Sequence, residues 1–173
     1  GGTGSGKSTL MYLLDGLYAP TGGHITIGGR DISEIPNATL RANIGFVLQE
    51  GYLYTGTVRE NIAAASPSDD LQSVRRAASA ACVDENVSSF PSGYETVVGE
   101  RGVTLSGGQK QRVSIARTLL RKTPYLIFDD SLSAVDSETD AEIRSRLARE
   151  YGSSTVIMIS HRITTVMNAD NII

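Results

Sequence analysis

At 173 residues, 40% of them hydrophobic and 20% charged, the chain has room for one domain of ordinary size with a packed core, which excludes disorder. A net charge of -3 argues against a broad electrostatic surface for nucleic acid. The single cysteine, Cys82, rules out an internal disulfide, no signal-peptide pattern is seen, and no run of about 18 apolar residues is present to span a membrane.

The first residues carry the strongest chemical signal. Gly1-Gly2-Thr3-Gly4-Ser5-Gly6-Lys7-Ser8 fits the pattern G-x-x-x-x-G-K-[ST]. Glycines let a backbone wrap closely and turn its N–H groups toward an anion. The helix expected from Gly6 to Leu14 adds the positive end of its dipole, and its Leu10, Leu13 and Leu14 are expected to face inward. Lys7 supplies a point charge for the β- and γ-phosphates of a nucleotide, and the Ser8 hydroxyl is a magnesium ligand. Thr9 completes the set assigned to the nucleotide. The loop opens the chain without a methionine, and a new strand begins at Asp170–Ile173, so a piece excised from a longer protein is expected.

Pro20–Gly23 breaks the first helix. A hairpin-like pattern follows, with His24–Ile27 turning at Gly28–Gly29 into Arg30–Ile32. Ile44–Leu48 predicts a buried strand ending at Gln49. Thr57 and Glu60 form a capping-box pattern for a short helix. Leu71, Val74, Ala77, Ala78 and Ala81 mark a small-residue helix, and Asp84–Ser89 a third. Ser106 is placed to cap a helix carrying Val113, Ile115, Ala116, Leu119 and Leu120. Tyr125–Phe128 reads as a buried strand, Ser137 as the cap of a helix to about Glu150, and Val156–Ile159 as another buried strand. Strands alternating with helices imply an α/β fold with a mainly parallel sheet covered on both faces. The expected division is residues 1–49, a first part of the core; 50–105, a helical subdomain; and 106–173, the second part of the core.

Two further motifs fall beside the loop in meaning. Tyr125–Phe128 runs into Asp129-Asp130, and a carboxylate at the C-terminal edge of a parallel strand is placed to hold magnesium near a bound phosphate. Leu105-Ser106-Gly107-Gly108-Gln109 opens a helix with N–H groups free for an anion.

That pentapeptide resembles the signature of the ATP-binding cassette (ABC) ATPases, and the resemblance runs along the whole chain. It implies ATP and Mg2+ as cofactors and a P-loop ATPase fold with an inserted helical subdomain, here truncated at both ends. Gln49 matches the family glutamine that contacts magnesium and the attacking water. Ser133–Asp136 resembles the loop that crosses between paired cassettes, with Asp136 assigned to the nucleotide site. His161, in Ser160-His161-Arg162, matches the switch histidine that touches the γ-phosphate. Magnesium would fall to Ser8, Gln49 and Asp129, and catalysis to Asp130, His161 and Gln49, with Ser106, Gly107, Gly108 and Gln109 serving a second cassette paired head to tail.

Val98–Gly102 and Tyr54–Ile62 resemble the exporter branch of the family. They imply contacts with a membrane domain near Gln49–Asn61 and Gly99–Gly102, a place at the cytoplasmic face of the membrane, and no nucleic-acid partner. The adenine-stacking aromatic of the family would precede Gly1. One departure stands out: Asp130 occupies the position where most members carry the glutamate that polarises the attacking water. Asp130–Asp136 therefore resembles the impaired half of heterodimeric exporters, and slow hydrolysis is expected at this chain's own site.

Other classes weigh less. A chromosome-organising cassette protein has a long coiled coil between loop and signature, and residues 9–104 show no heptads. A translation-type cassette protein lacks the exporter-like Gly99–Gly102. A regulatory ATP-binding module without turnover stays open because of Asp130. Cys82 is read as packing, His24 as without function, and Lys110, Arg112, Arg117, Arg121 and Lys122 as a solvated helix face.

Overall fold

A computed structural model describes residue 2, residues 4–64, residue 66, residues 69–99 and residues 103–173. In chain order its elements begin with α1 (Lys7–Leu14), the hairpin strands β1 (Thr26–Ile27) and β2 (Arg30–Asp31), α2 (Asn37–Asn43) and β3 (Ile44–Val47). Next come β4 (Gly56–Thr57), α3 (Val58–Ala63), α4 (Leu71–Ala80), α5 (Asp84–Ser88) and β5 (Val97–Val98). The chain continues with α6 (Gly107–Leu120), β6 (Tyr125–Asp129), α7 (Ser137–Glu150), β7 (Thr155–Ile159) and α8 (Ile163–Val166).

The strands β3, β6 and β7 form a parallel sheet in that order, with Val47 opposite Phe128 and Asp129 opposite Ile159. Because the strands run the same way, the residues after their C-terminal ends collect at one edge. Successive side chains point to opposite faces, so the two faces feed two cores. Val47, Leu126 and Phe128 join Val113, Ile115, Ala116 and Leu119 of α6 and Ile143 and Leu147 of α7. Ile44 and Ile127 join Met11 of α1 and Leu40 of α2 on the other side. Burying a side chain such as Phe128 contributes about 1.5–3 kcal/mol, and its exposure is 1%.

The first core does not stop at the sheet. It runs through α6 into Val58 and Ile62 of α3 and Val74, Ala77 and Ala78 of α4. The alanines of α4 allow a close approach to α6, since interhelical distance depends on the side chains at the contact. The expected capping box at Thr57 forms, and the expected cap at Ser106 proves to be a second box. Thr57 Oγ1 accepts from Glu60 N at 3.0 Å while Thr57 N donates to Glu60 Oε2 at 2.7 Å, and Ser106 and Gln109 repeat the exchange at 3.2 and 2.9 Å.

Several sequence expectations are corrected. Leu10 is 51% exposed, and Met11 takes the buried place on α1. The strand of Ile44 stops at Val47, leaving Leu48 and Gln49 exposed. Asp136, not Ser137, caps α7. The strand read as buried at Val156–Ile159 lies at the side of the described sheet beyond β6, with Val156 exposed and the other three half-buried. The helix α2 and the β4–β5 pair carry no strong periodicity and are additions. Arg112, Arg117 and Arg121 do not form a solvated face. Arg112 donates to the Cys82 carbonyl at 2.8 Å, Arg117 to the Asn61 and Tyr52 carbonyls at 2.6 and 3.0 Å, and Arg121 to the Ile44 carbonyl at 3.4 Å.

Candidate nucleotide site

Of the loop, Gly2 and Gly4 to Ser8 are described, and Gly1 and Thr3 lie outside the described residues. Gly4 and Gly6 have φ of 77° and 88°, a left-handed backbone that costs a side-chain-bearing residue roughly 1 kcal/mol. Gly6 caps α1 and, being glycine, brings no side chain to the cap position. Lys7 Nζ donates to the Gly2 carbonyl at 2.8 Å, folding the cation back along the loop.

Ser8 Oγ donates to Asp129 Oδ1 at 3.0 Å. This one bond joins the first turn of α1 to the last residue of β6, across more than a hundred residues of sequence. Asp129 is 5% exposed, and none of the ion pairs among the described residues involves it. A buried carboxylate without a cationic partner is costly, and beside a hydroxyl it makes the hard oxygen set that magnesium prefers. No group of three or more acidic, His or Cys residues forms a metal cage among the described residues. Magnesium likewise binds through one or two protein oxygens plus phosphates, so the residues fit the ion.

The same edge gathers the other expected groups. Gln49 comes after β3, and Ser160-His161 after β7. Gln49 and His161 are exposed there. Asp130 has a left-handed φ of 45°, tolerated by Asp better than by most residues. Its N–H donates to the Ile159 carbonyl at 3.0 Å, and its carbonyl accepts from Ser133 N at 3.1 Å and Ser133 Oγ at 2.7 Å.

The Ser106 group is built apart from this edge. Ser106 and Gln109 bond to each other, Ser106 and Gly107 are exposed, and a Cβ on Gly107 would meet nothing within 4 Å. A Cβ on Gly108 would stand 3.1 Å from the Ala134 carbonyl, so the start of α6 sits against the Ser133–Asp136 loop of its own chain. Asp136 spends both oxygens on Thr139, accepting from its N–H at 2.9 Å and its hydroxyl at 2.8 Å. The Thr139 N–H first, then its hydroxyl, hold the Asp136 carboxyl below the usual carboxylate value. The exporter-like Glu100, Arg101 and Gly102 lie outside the described residues.

Two functional candidates escaped the sequence. Arg117 lies 5.1 Å from the centre of the Tyr54 ring and also donates to Asn61 Oδ1 at 3.2 Å; desolvation depresses its pKa. Arg162, the neighbour of His161, reaches the Ser133–Asp136 loop. No motif signals either, because both act on backbone carbonyls of distant segments.

A glycine loop opening a helix, a lysine, and a serine bonded to a strand-end aspartate define a P-loop nucleotide-binding domain. The family model described as ABC transporter matches residues 1–133, and the chain belongs to that family. It is 46% identical over all 173 residues to the uncharacterized ABC transporter ATP-binding protein YfiB of Bacillus subtilis (strain 168). It is 42% identical over the same span to the ATP-dependent lipid A-core flippase of Syntrophus aciditrophicus (strain SB). Among solved structures, a bacterial Atm1-family ABC exporter with ATP bound superposes with a TM-score of 0.93 at 41% identity, covering 98% of this chain and 30% of that one. The chain spans 30% and 29% of the two relatives' lengths.

Proposed function

We propose that the chain is the nucleotide-binding domain of an ABC exporter, which binds ATP at Gly1–Thr9 and hydrolyses it to drive transport through a membrane domain. The observation that carries this reading is the Ser8–Asp129 bond beneath the glycine-capped start of α1. Amide donors of the loop, the Lys7 cation and this oxygen pair are the groups that suit a triphosphate. Ser8, Asp129 and Gln49 would hold Mg2+, which when bound neutralises phosphate charge. Lys7 binds the β- and γ-phosphates, Asp130 accepts a proton from the attacking water, and His161 orients the γ-phosphate. The Ser106–Gln109 start of α6, exposed at Ser106 and Gly107, serves the ATP of a second cassette, head to tail. Gln49–Asn61 and Gly99–Gly102 face the membrane domain at its cytoplasmic side.

Hydrolysis at this chain's own site is slow. Aspartate has nearly the basicity of glutamate but is shorter by about 1.5 Å, one C–C bond. A misplacement of about 1 Å costs on the order of 100-fold in rate. The consequence is a heterodimer, in which a partner bearing glutamate borrows this chain's Ser106. The test is ATP turnover by the full-length transporter, alone and with its candidate partner. In the protein alone, Asp130→Glu is expected to raise turnover at least tenfold. Normal turnover without the substitution, and no gain with it, would overturn the slow-site reading.

A further inference from the structure

Arg162 closes a ring of hydrogen bonds around the phosphate edge. Its Nη1 donates to the Val135 carbonyl and its Nη2 to the Ser133 carbonyl, each at 2.8 Å. Ser133 donates to the Asp130 carbonyl from both its N–H, at 3.1 Å, and its hydroxyl, at 2.7 Å. The Asp130 N–H donates to the Ile159 carbonyl at 3.0 Å, at the last residue of β7. From Ile159 the chain passes through Ser160 and His161 back to Arg162, whose own N–H is held by Ser160 Oγ at 3.0 Å. Asp130 and His161 are thus two stations on one closed loop of bonds.

We propose that Arg162 is a positioning residue that sets Asp130 and His161 relative to one another. The inference rests on the roles proposed above for those two residues. A guanidinium is a planar fork able to hold two carbonyls at once, and its charge strengthens both bonds. A lysine ammonium is a compact point charge without that fork. Asp130 holds a left-handed backbone, which persists only where the surroundings over-determine it. The ring supplies that constraint: the Asp130 carbonyl is pinned by Ser133, and Ser133 by Arg162. The loop would survive without the guanidinium, because Leu132 and Val135 are 5% and 4% exposed and packed in the core. What would be lost is its register against the residues after β7.

A second tie allows a control. Thr165 Oγ1 donates to Asp140 Oδ2 at 2.8 Å, anchoring α8 to α7 without touching the Ser133–Asp136 loop. Asp140 keeps Arg144, at 3.1 Å, when that bond is removed.

The experiment compares Arg162→Ala, Arg162→Lys and Thr165→Val in the full-length protein, reading ATP turnover, ATP affinity and hydrogen exchange without nucleotide. Arg162→Ala is expected to lower kcat at least tenfold with ATP affinity held within threefold, and to speed exchange of the Ser133 and Val135 amides at least tenfold. Arg162→Lys recovers part of both, and Thr165→Val changes neither. Adding Arg162→Ala to Asp130→Asn gives little further loss, since the arginine acts through the aspartate. Unchanged exchange at Ser133 and Val135 overturns the proposal whatever the turnover. So do equal losses in Arg162→Ala and Thr165→Val, or losses that add to Asp130→Asn. A wild-type protein that neither binds nor hydrolyses ATP refutes the functional reading instead, and the exchange measurement then still judges the ring.

Discussion

The two ends of this molecule proposed to meet nucleotide are built in opposite ways. At the phosphate edge, residues from α1 and β6 converge, and the Ser8–Asp129 bond locks them together. At the start of α6, Ser106 and Gln109 satisfy each other and Gly107 faces open space. Yet the body of α6 is anchored firmly. Gln111 donates to the Leu48 carbonyl at 2.9 Å, and Arg117 and Arg121 grip carbonyls on either side of it. A tip that is open while its shaft is fixed suits a ligand brought by another molecule. A converged edge suits a ligand held by the chain itself. On the proposed reading, one chain carries a nearly complete grip and the complementary half of a partner's.

The sharpest way to break that contrast is to disable each end in turn. Asp129→Asn in the full-length protein assayed without a partner cassette is expected to lower ATP turnover about 10²–10³-fold, the loss typical of removing one electrostatic stabiliser from a site. Ser106→Arg, which fills the open tip, is expected to lower turnover at least tenfold while leaving ATP binding by the unpaired protein within twofold. Equilibrium binding of a fluorescent ATP analogue, beside a steady-state phosphate assay, separates the two. Equal weakening of binding by Ser106→Arg and Lys7→Ala would mean the ends form one site within the chain.

The same contrast explains what the sequence disclosed. Gly4, Gly6, Lys7 and Ser8 are legible because their chemistry needs adjacent residues, and so is the Ser106–Gln109 box. Asp129 is legible because an apolar strand delivers it to a sheet edge. The strands β3 and β6 announce themselves by apolar runs, whereas α2 and the two-residue strands β4 and β5 are too short to carry a period. Arginine groups misled most. Arg112, Arg117 and Arg121 look like a solvated face, but a guanidinium that donates to a backbone carbonyl leaves no trace in the identity of its partner. The reading of Leu10 failed for a related reason: a helical period fixes which residues share a face, and neighbouring elements decide which face is covered, here that of Met11.

The anchoring of α6 is itself open to test. Gln111 is 1% exposed, and its Nε2 is the donor to the Leu48 carbonyl. Gln111→Leu keeps the volume and removes the donor, so a loss of about 1 kcal/mol is expected. Chemical denaturation of the nucleotide-free protein measures it as a lower midpoint at unchanged slope. Because Leu48 directly precedes Gln49, turnover should fall more than ATP affinity does. A loss of affinity equal to the loss of turnover would show that the stitch supports the grip as a whole.

The smallest expected effect lies in the helical part. Asp84, the first residue of α5, accepts from the Tyr94 hydroxyl at 2.6 Å and pairs with Arg75 at 3.2 Å. Desolvation works to raise the Asp84 pKa, but the Tyr94 hydroxyl, together with Arg75, outweighs it and holds the carboxyl below the usual value. A depressed carboxylate stabilises the fold above its unfolded pKa, near 3.9, and that contribution disappears as pH falls through the folded value. Tyr94→Phe removes the principal hydrogen bond, so the folded pKa returns toward the ordinary one. The variant should be less stable by about 1 kcal/mol at pH 7, with the gap to wild type narrowing below about pH 4. A gap that stays flat from pH 7 to 3 would assign the loss to packing of the buried ring instead. ATP affinity and turnover at pH 7 should not move, because this pair touches neither the phosphate edge nor the open tip of α6. A change in turnover would mean that the shaft of α6 transmits strain from the helical part to its tip.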